Sequence, residues 1–242
     1  MRYGLFSDVH SNLEALKAVL ADFKKENLDK IFFLGDAVGY GPDPNECVDL
    51  INEVAEVKLM GNHDYAALGL IETNLFNMYA QESMEWTKGV LSEKSLKILS
   101  GFAMDHRLDQ SYLVHSTPKE PQEWDYILDL DDAEENFKFF NKQICFIGHS
   151  HSPIIVKKFN GEHCFVQDKT HSEIEKGFKY ILNIGSVGQP RDGSNKACYL
   201  IYNTKDKTVS LKRVAYDFEK TQAKMKKKEL PQFLIDRLAI GR

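Results

Sequence analysis

Several things are scarce in this 242-residue chain, and each scarcity excludes something. Only four cysteines are present, Cys47, Cys145, Cys164 and Cys198, far apart and without a Cys-x-x-Cys pair. That argues against a disulfide framework and against a thiolate zinc site, and predicts buried thiols in a reducing cytoplasm. No apolar run approaches the ~20 residues needed to span a bilayer, so no membrane partner is expected. The opening residues, Met1-Arg2-Tyr3-Gly4-Leu5-Phe6, read as a strand. They lack the long apolar stretch and small-residue cleavage site of a signal peptide. Neither sign of charge dominates: 31 Lys and Arg against 36 Asp and Glu give a net charge of −5. Nothing global therefore attracts nucleic acid. The one dense basic run, Lys224-Met225-Lys226-Lys227-Lys228, reads as a solvated helix face. There is no internal repeat and no low-complexity linker, so residues 1–242 are expected to form one domain.

What is present is an ordinary globular balance, 43% hydrophobic and 28% charged, with a change of grammar half-way along. The first half alternates strand and helix. Leu13, Leu16, Leu20 and Phe23 recur at helical spacing behind Ser11 or Asn12 as cap, and Asp43-Pro44-Asn45-Glu46 opens a second helix with a capping box. Residues 66–100 read as mostly helical, broken near Gly89, with Ser92 capping the last piece. Asp131, Glu134, Phe137 and Phe140 mark another helix. Beyond His151 strands follow one another: a hairpin turned by Asn160-Gly161, then Tyr180–Ile184, Ala197–Asn203 and Thr208–Ala215. A charged helix from Phe218 meets Pro231, and a short helical stretch closes the chain. An α/β fold satisfies both halves: two β-sheets packed face to face with helices outside.

Five apolar runs each stop at a residue able to hold a metal. Arg2–Phe6 runs into Asp8 and His10, Ile31–Leu34 into Asp36, and Val57–Met60 into Gly61-Asn62-His63-Asp64. Tyr112–Val114 ends at His115, and Ile144–Ile147 runs into Gly148-His149-Ser150-His151. Open α/β sheets place their chemistry just past the carboxyl ends of their strands. Each fragment alone is weak. Together they take five of the chain's eight histidines, leaving His106, His163 and His171 as surface or packing residues. Oxygen and imidazole donors without thiolate suit Mn, Fe, Zn or Co, and seven donors suit two ions sharing a carboxylate better than one tetrahedral ion.

In this order, Asp8-x-His10, Gly35-Asp36, Gly61-Asn62-His63-Asp64, His115 and Gly148-His149-x-His151 resemble the complete signature of the calcineurin-like metallophosphoesterases. Asn183-Ile184-Gly185-Ser186-Val187-Gly188-Gln189-Pro190-Arg191 resembles a further feature of their small bacterial and archaeal phosphodiesterase branch. The resemblance implies a four-layer α/β/β/α sandwich of two mixed sheets. It implies two divalent ions drawn from Mn, Fe, Zn, Co or Ni, with Mn favoured. Asp8, His10 and His151 would hold one and Asn62, His115 and His149 the other, with Asp36 and a hydroxide bridging them. His63 would be the general acid and Asp64 would orient it, favouring the imidazolium.

The implied activity is hydrolysis of a small phosphate ester, a phosphodiester first. A phosphomonoester or a nuclease substrate is the alternative, and a non-catalytic binding scaffold is the reading from another class. The block Gly35-Asp36-Ala37-Val38-Gly39-Tyr40-Gly41 lacks the arginine found there in protein Ser/Thr phosphatases. Arg191 is the candidate replacement, since guanidinium matches phosphate geometry, or else it pairs with Asp192. Tyr40 would stack on a substrate base or pack its loop, and Ser186 and Gly188 are possible substrate contacts. Loops 39–45, 66–90 and 116–130 would select the substrate.

Overall fold

Two mixed β-sheets form the framework of this computed structural model, which describes residues 1–167 and 170–242. In chain order the strands are β1 (Arg2–Phe6), β2 (Lys30–Phe33), β3 (Val57–Lys58), β4 (Asp105–Leu108), β5 (Ser111–Val114), β6 (Ile144–Ile147), β7 (Ile154–Phe159), β8 (Phe165–Val166), β9 (His171–Glu173), β10 (Phe178–Asn183), β11 (Ala197–Asn203) and β12 (Thr208–Val214). The helices are α1 (Leu13–Phe23), α2 (Pro44–Val54), α3 (Asn62–Ala67), α4 (Met78–Val90), α5 (Glu93–Leu99), α6 (Leu130–Asn136), α7 (Phe218–Lys227) and α8 (Gln232–Ile240). One sheet runs β3-β2-β1-β11-β12-β9 and the other β4-β5-β6-β10-β7-β8. β1, β2 and β3 are mutually parallel, as are β5, β6 and β10, while the remaining pairings are antiparallel.

Side-chain alternation along the strands builds the layers, because neighbouring residues point to opposite faces. Leu5, Phe32, Phe146, Leu182 and Leu200 meet in the core between the sheets. Their neighbours Phe6, Phe33 and Tyr199 turn outward onto Leu16, Val19 and Ile51 of α1 and α2. Cys145, Ile147 and Ile181 turn outward on the other sheet, onto Ala133 and Phe137 at α6. This is the expected α/β/β/α sandwich.

Local signals were read correctly in some places and displaced in others. Asn12 caps α1, accepting from the Ala15 N–H at 3.1 Å, and Ser92 caps α5 through the Ser95 N–H at 3.1 Å. Asp43 precedes α2 but makes no cap bond; its carboxylate is 2.7 Å from Lys224 Nζ instead. Gly89 lies inside α4, and the chain breaks after it at Leu91–Ser92. α6 is capped by Asp129, two residues before Asp131, and ends before Phe137. β3 has two residues, with Leu59 adding only an isolated bridge to Ala103. β4 and β9 were not anticipated; they are short and mostly polar, so they give no apolar alternation.

The basic run needs correction. Met225 is buried and Lys224 bridges Glu14 and Asp43, so part of this face is turned inward. Of the histidines set aside, His106 stacks on Phe32, while His163 and His171 are exposed. All four cysteines are free and buried, and no described helix is long and apolar enough to cross a membrane.

Phe146 is almost fully buried between the sheets, so Phe146→Ala should cost about 3–5 kcal/mol in urea unfolding, through lost transfer energy and the cavity left behind.

Candidate metal centre

Strained backbone marks the edge where these strands end. Asp8, His10, Asp36, His149 and His151 adopt φ of +54°, +46°, +60°, +66° and +61°. For residues with a Cβ this left-handed region is uncommon, and it costs about 1–3 kcal/mol per residue. It persists only where surrounding bonds over-determine it. Here the Asp8 N–H donates to the Gly35 carbonyl at 2.9 Å, the His10 N–H to the Asp36 carbonyl at 3.0 Å, and the Gly188 N–H to the Asp8 carbonyl at 2.9 Å. Ser186 Oγ donates to that same Asp8 carbonyl at 2.8 Å. Ser186 and Gly188 therefore hold the Asp8 turn by these bonds, a role that the sequence reading had assigned to substrate contact.

The turns bring six of the seven candidate ligands into two groups that share Asp36. One group is Asp8, His10, Asp36 and His151, and the other is Asp36, His115 and His149, with donor atoms in each within 4.8 Å of one another. All six are buried. Asp36 Oδ2 lies 3.5 Å from His10 Nε2 and 3.4 Å from His115 Nε2, and Asp8 Oδ1 lies 3.3 Å from His151 Nε2. Asn62, the seventh, opens α3 beside the second group and lines the adjoining cleft.

Backbone carbonyls fix which ring nitrogen faces inward. A carbonyl only accepts, so the ring nitrogen that meets it must carry the proton. His10 Nδ1 meets the Val38 carbonyl at 3.0 Å, His115 Nδ1 the Leu34 carbonyl at 2.7 Å, and His151 Nδ1 the Gln189 carbonyl at 2.6 Å. Each then aims its Nε2 into the site. His149 is reversed: its Nε2 meets the Trp124 carbonyl at 2.8 Å, leaving Nδ1 inward.

This donor set fits divalent ions. His10 Nε2 and His151 Nε2 face each other at 3.1 Å, an arrangement that two lone pairs tolerate only around a cation or a proton. Asn62 Oδ1 and His115 Nε2 are buried without any hydrogen-bond partner. Outward bonds from ligand histidines to carbonyls are the usual means of orienting such ligands.

Electrostatics without metal agree. Burial works against charge on His115, yet Asp36 and Asp8 pull it up to about 9. Burial likewise opposes charge on Asp36, but the imidazoles of His115 and His63 hold it well below the usual carboxylate range. Burial pushes His149 down to about 3.

Asp64 does not orient the His63 ring. Its oxygens accept four backbone N–H groups, from Asp36 (2.9 Å), Ala37 (2.9 Å), Val38 (3.2 Å) and Gly61 (3.2 Å). Asp64 thus shapes the loop that carries Asp36. Burial lowers His63 to about 4; the Asp36 carboxylate opposes this shift and the charge of Arg191 adds to it. The His63 ring sits among Tyr40 at 4.4 Å, His10 at 4.8 Å and Phe76 at 4.9 Å, between ring centroids. Close approach explains two glycines. A Cβ on Gly61 would strike the Asp36 carboxylate, and one on Gly148 would come within 2.5 Å of Asp8 Oδ2.

Arg191 does not pair with Asp192, which is taken by Arg213. Its guanidinium donates to Gln189 Oε1 at 3.0 Å and to the Tyr40 hydroxyl at 3.3 Å, with its Cζ 5.7 Å from the Tyr40 ring centroid. Tyr40 is buried, which raises its pKa and keeps the hydroxyl protonated. Beside the centre lies a cleft of about 340 Å³ lined by Tyr40, Asn62, His63, Phe76, Trp124 and Tyr126 among others. Tyr126 stacks on His149 at 3.9 Å. The sequence does not single out Phe76, Trp124 and Tyr126 individually; they lie in the loops 66–90 and 116–130.

Comparison with known proteins decides the family. The sequence model of the calcineurin-like phosphoesterase superfamily domain matches residues 1–207. The chain belongs to this superfamily. It is 40% identical to an uncharacterised protein of Methanocaldococcus jannaschii, over 98% of this chain and 97% of the relative. Its fold is similar to the crystal structure of a metallophosphoesterase from Sphaerobacter thermophilus (TM-score 0.88, 37% identity, 100% of this chain and 99% of that one). A hypothetical protein of Pyrococcus horikoshii shares the fold at a TM-score of 0.79 and 16% identity, over 100% of this chain and 98% of that one. Family and relatives make this chain a metallophosphoesterase, a hydrolase that uses divalent metal.

Two predictions follow from the geometry. Metal uptake by chelator-stripped protein at pH 7.5 should release about one proton per chain from His115, because a ligand nitrogen must be deprotonated to bind; calorimetry in buffers of different ionisation enthalpy measures it. Asp64→Asn turns an NH₂ toward two of the four N–H groups that the carboxyl oxygens accept, and should cost about 1–3 kcal/mol in urea unfolding.

Proposed function

We propose that this protein is a dinuclear metal-dependent phosphodiesterase acting on a small phosphate ester, working in a reducing cytoplasm. One observation carries the reading: two groups of inward-facing donors share the Asp36 carboxylate. Asp8, His10, Asp36 and His151 would hold one ion, and Asn62, Asp36, His115 and His149 the other. Two divalent ions there, Mn²⁺ first among Mn, Fe, Zn, Co and Ni, would supply acidified water as nucleophile and neutralise charge on the phosphoryl oxygens.

The chain's own residues do the rest. Arg191, steadied by Gln189 and Tyr40, offers N–H donors to a phosphate oxygen. Its one positive charge suits the single negative charge of a diester. Phe76, Trp124 and Tyr126 exclude water and face the organic part of the ester. The cleft suits a small molecule, and the chain's net charge of −5 offers no track for a polynucleotide. His63 Nδ1 is buried against Gly39, which leaves Nε2 toward the cleft as the atom that passes a proton to the leaving alkoxide. Burial lowers His63 to about 4, so the free ring is neutral near pH 7; an anionic ester beside it would raise that value and favour the proton that the leaving group needs.

The test is hydrolysis of bis-p-nitrophenyl phosphate against p-nitrophenyl phosphate by chelated protein resupplied with Mn²⁺. Metal-dependent cleavage favouring the diester is expected. Preference for the monoester would reassign the chain to a phosphomonoesterase, and no turnover with metal bound would sink the enzymatic reading in favour of a scaffold. His63→Asn should lower kcat by about 10²–10⁴-fold with metal content unchanged.

A further inference from the structure

Past residue 207, where the family match ends, the chain continues into α7 and α8. Their contacts reach the walls of the cleft. Lys224 Nζ on α7 lies 2.7 Å from both Glu14 Oε1 and Asp43 Oδ2, and Lys228 Nζ bonds the Pro42 carbonyl. These bonds tie down the loop that presents Tyr40. Thr221 Oγ1 donates to Asn12 Oδ1 at 3.1 Å, and Asn12 Nδ2 donates to the Gly188 carbonyl at 2.8 Å. Two hydrogen bonds therefore lead from α7 to the loop that presents Arg191. At the end of α8, the Gly193 N–H donates to the Gly241 carbonyl at 2.8 Å and pins that loop from its other side.

The apolar contacts converge on the same place. Tyr40 packs in one buried cluster with Met225, Leu230, Leu234 and Leu238. Phe233 of α8 stacks on Tyr79 of α4 at 4.6 Å, and α4 lines the cleft at Ala80. Tyr40 and Arg191 reach each other through one 3.3 Å hydrogen bond, so their spacing is set by what holds each loop. Both loops are held by the same helix pair.

We propose that α7 and α8 form the positioning element for the Tyr40–Arg191 phosphate clamp, with Lys224 and Leu234 as positioning residues. Lys224 bridges two buried carboxylates, Glu14 and Asp43, whose other cations are the more exposed Lys220 (3.3 Å from Glu14) and Lys228 (4.0 Å from Asp43); without its ammonium the pair loses its shared counter-ion and the Tyr40 loop shifts. Leu234 supports Tyr40 from the apolar side. Neither residue is among the metal-ligand candidates, so disturbing them should loosen phosphate binding while sparing the metals. The proposal rests on the phosphoesterase reading only for its kinetic readout.

The test uses full-length, Mn²⁺-loaded protein carrying Lys224→Met, Lys224→Arg or Leu234→Ala, the last in case the charge change prevents folding. KM and kcat are measured for the preferred ester, metal content by elemental analysis, and the Kd of inorganic phosphate by calorimetry. Lys224→Met and Leu234→Ala should raise KM and the phosphate Kd about ten-fold, with kcat within about two-fold and metal content unchanged. Lys224→Arg should recover most of the affinity. Folded variants with wild-type KM and phosphate Kd would overturn the proposal and make the helix pair a stabilising cap. Loss of metal along with activity would overturn it too, moving the pair's role to the metal centre. If the wild type binds phosphate but cleaves no ester, the phosphoesterase reading fails and the phosphate Kd alone still decides the clamp. A metal-loaded wild type that binds no phosphate would rule the clamp out.

Discussion

Asp8 and Asp36 are carboxylates without solvent, pressed against imidazoles and against each other's field, and much of the architecture answers that constraint. An ionised carboxyl group removed from water loses hydration that only opposite charge or several hydrogen bonds can replace. Here the replacement comes from inward-facing imidazoles, from backbone N–H groups such as that of His149 on Asp8 and that of His63 on Asp36, and from the cations this donor set suits. The same need explains why five site residues are held in left-handed backbone conformations. A side chain at the end of a strand normally continues the alternation of its sheet. Reversing φ at that point throws it across the edge, toward donors from other strands.

Parallel strand order makes the convergence possible. β1 and β2 deliver Asp8 and Asp36 from one sheet, and β5 and β6 deliver His115 and His149 from the other. Packing through Leu5, Phe32, Phe146 and Leu200 fixes the distance between the two edges, so the core that holds the sheets together also sets the ligand geometry. Asp64 adds a second level of control. By gathering N–H groups from Asp36, Ala37, Val38 and Gly61 it locks two loops into one unit, and its value to the site is structural.

The substrate side obeys a different logic. Tyr40, Arg191, Phe76, Trp124 and Tyr126 sit on loops; Tyr40 is bonded to Arg191 and packs with Phe76 against the C-terminal helices. The candidate metal donors thus rest on the sandwich, whereas the proposed recognition groups rest on its attachments. Such a division would let one metal centre serve different esters through changes in loops.

Which residues could hold metal was legible in the sequence because strand ends carry a local signature: an apolar run that stops at a ligand, in three of the five cases with a glycine between them. The change from strand–helix repeats to consecutive strands likewise pointed to two sheets packed face to face with helices outside. Local chemistry also misled. Asp43 looked like a cap, Asp64 looked like a partner for His63, and the basic run at 224–228 looked like open surface, because each has its true partner far away in sequence: Lys224 for Asp43, the Asp36 loop for Asp64, Glu14 for Lys224. The sequence by itself determined most of the elements, the order of the candidate donors and the kind of ion they suit, since those follow from residue type and short-range spacing. Tertiary structure alone decided which nitrogen of each histidine points inward, what Asp64 does, and where Arg191 and the C-terminal helices stand. These depend on carbonyls and carboxylates brought within hydrogen-bond distance from tens to more than a hundred residues away, and no local pattern encodes such a contact.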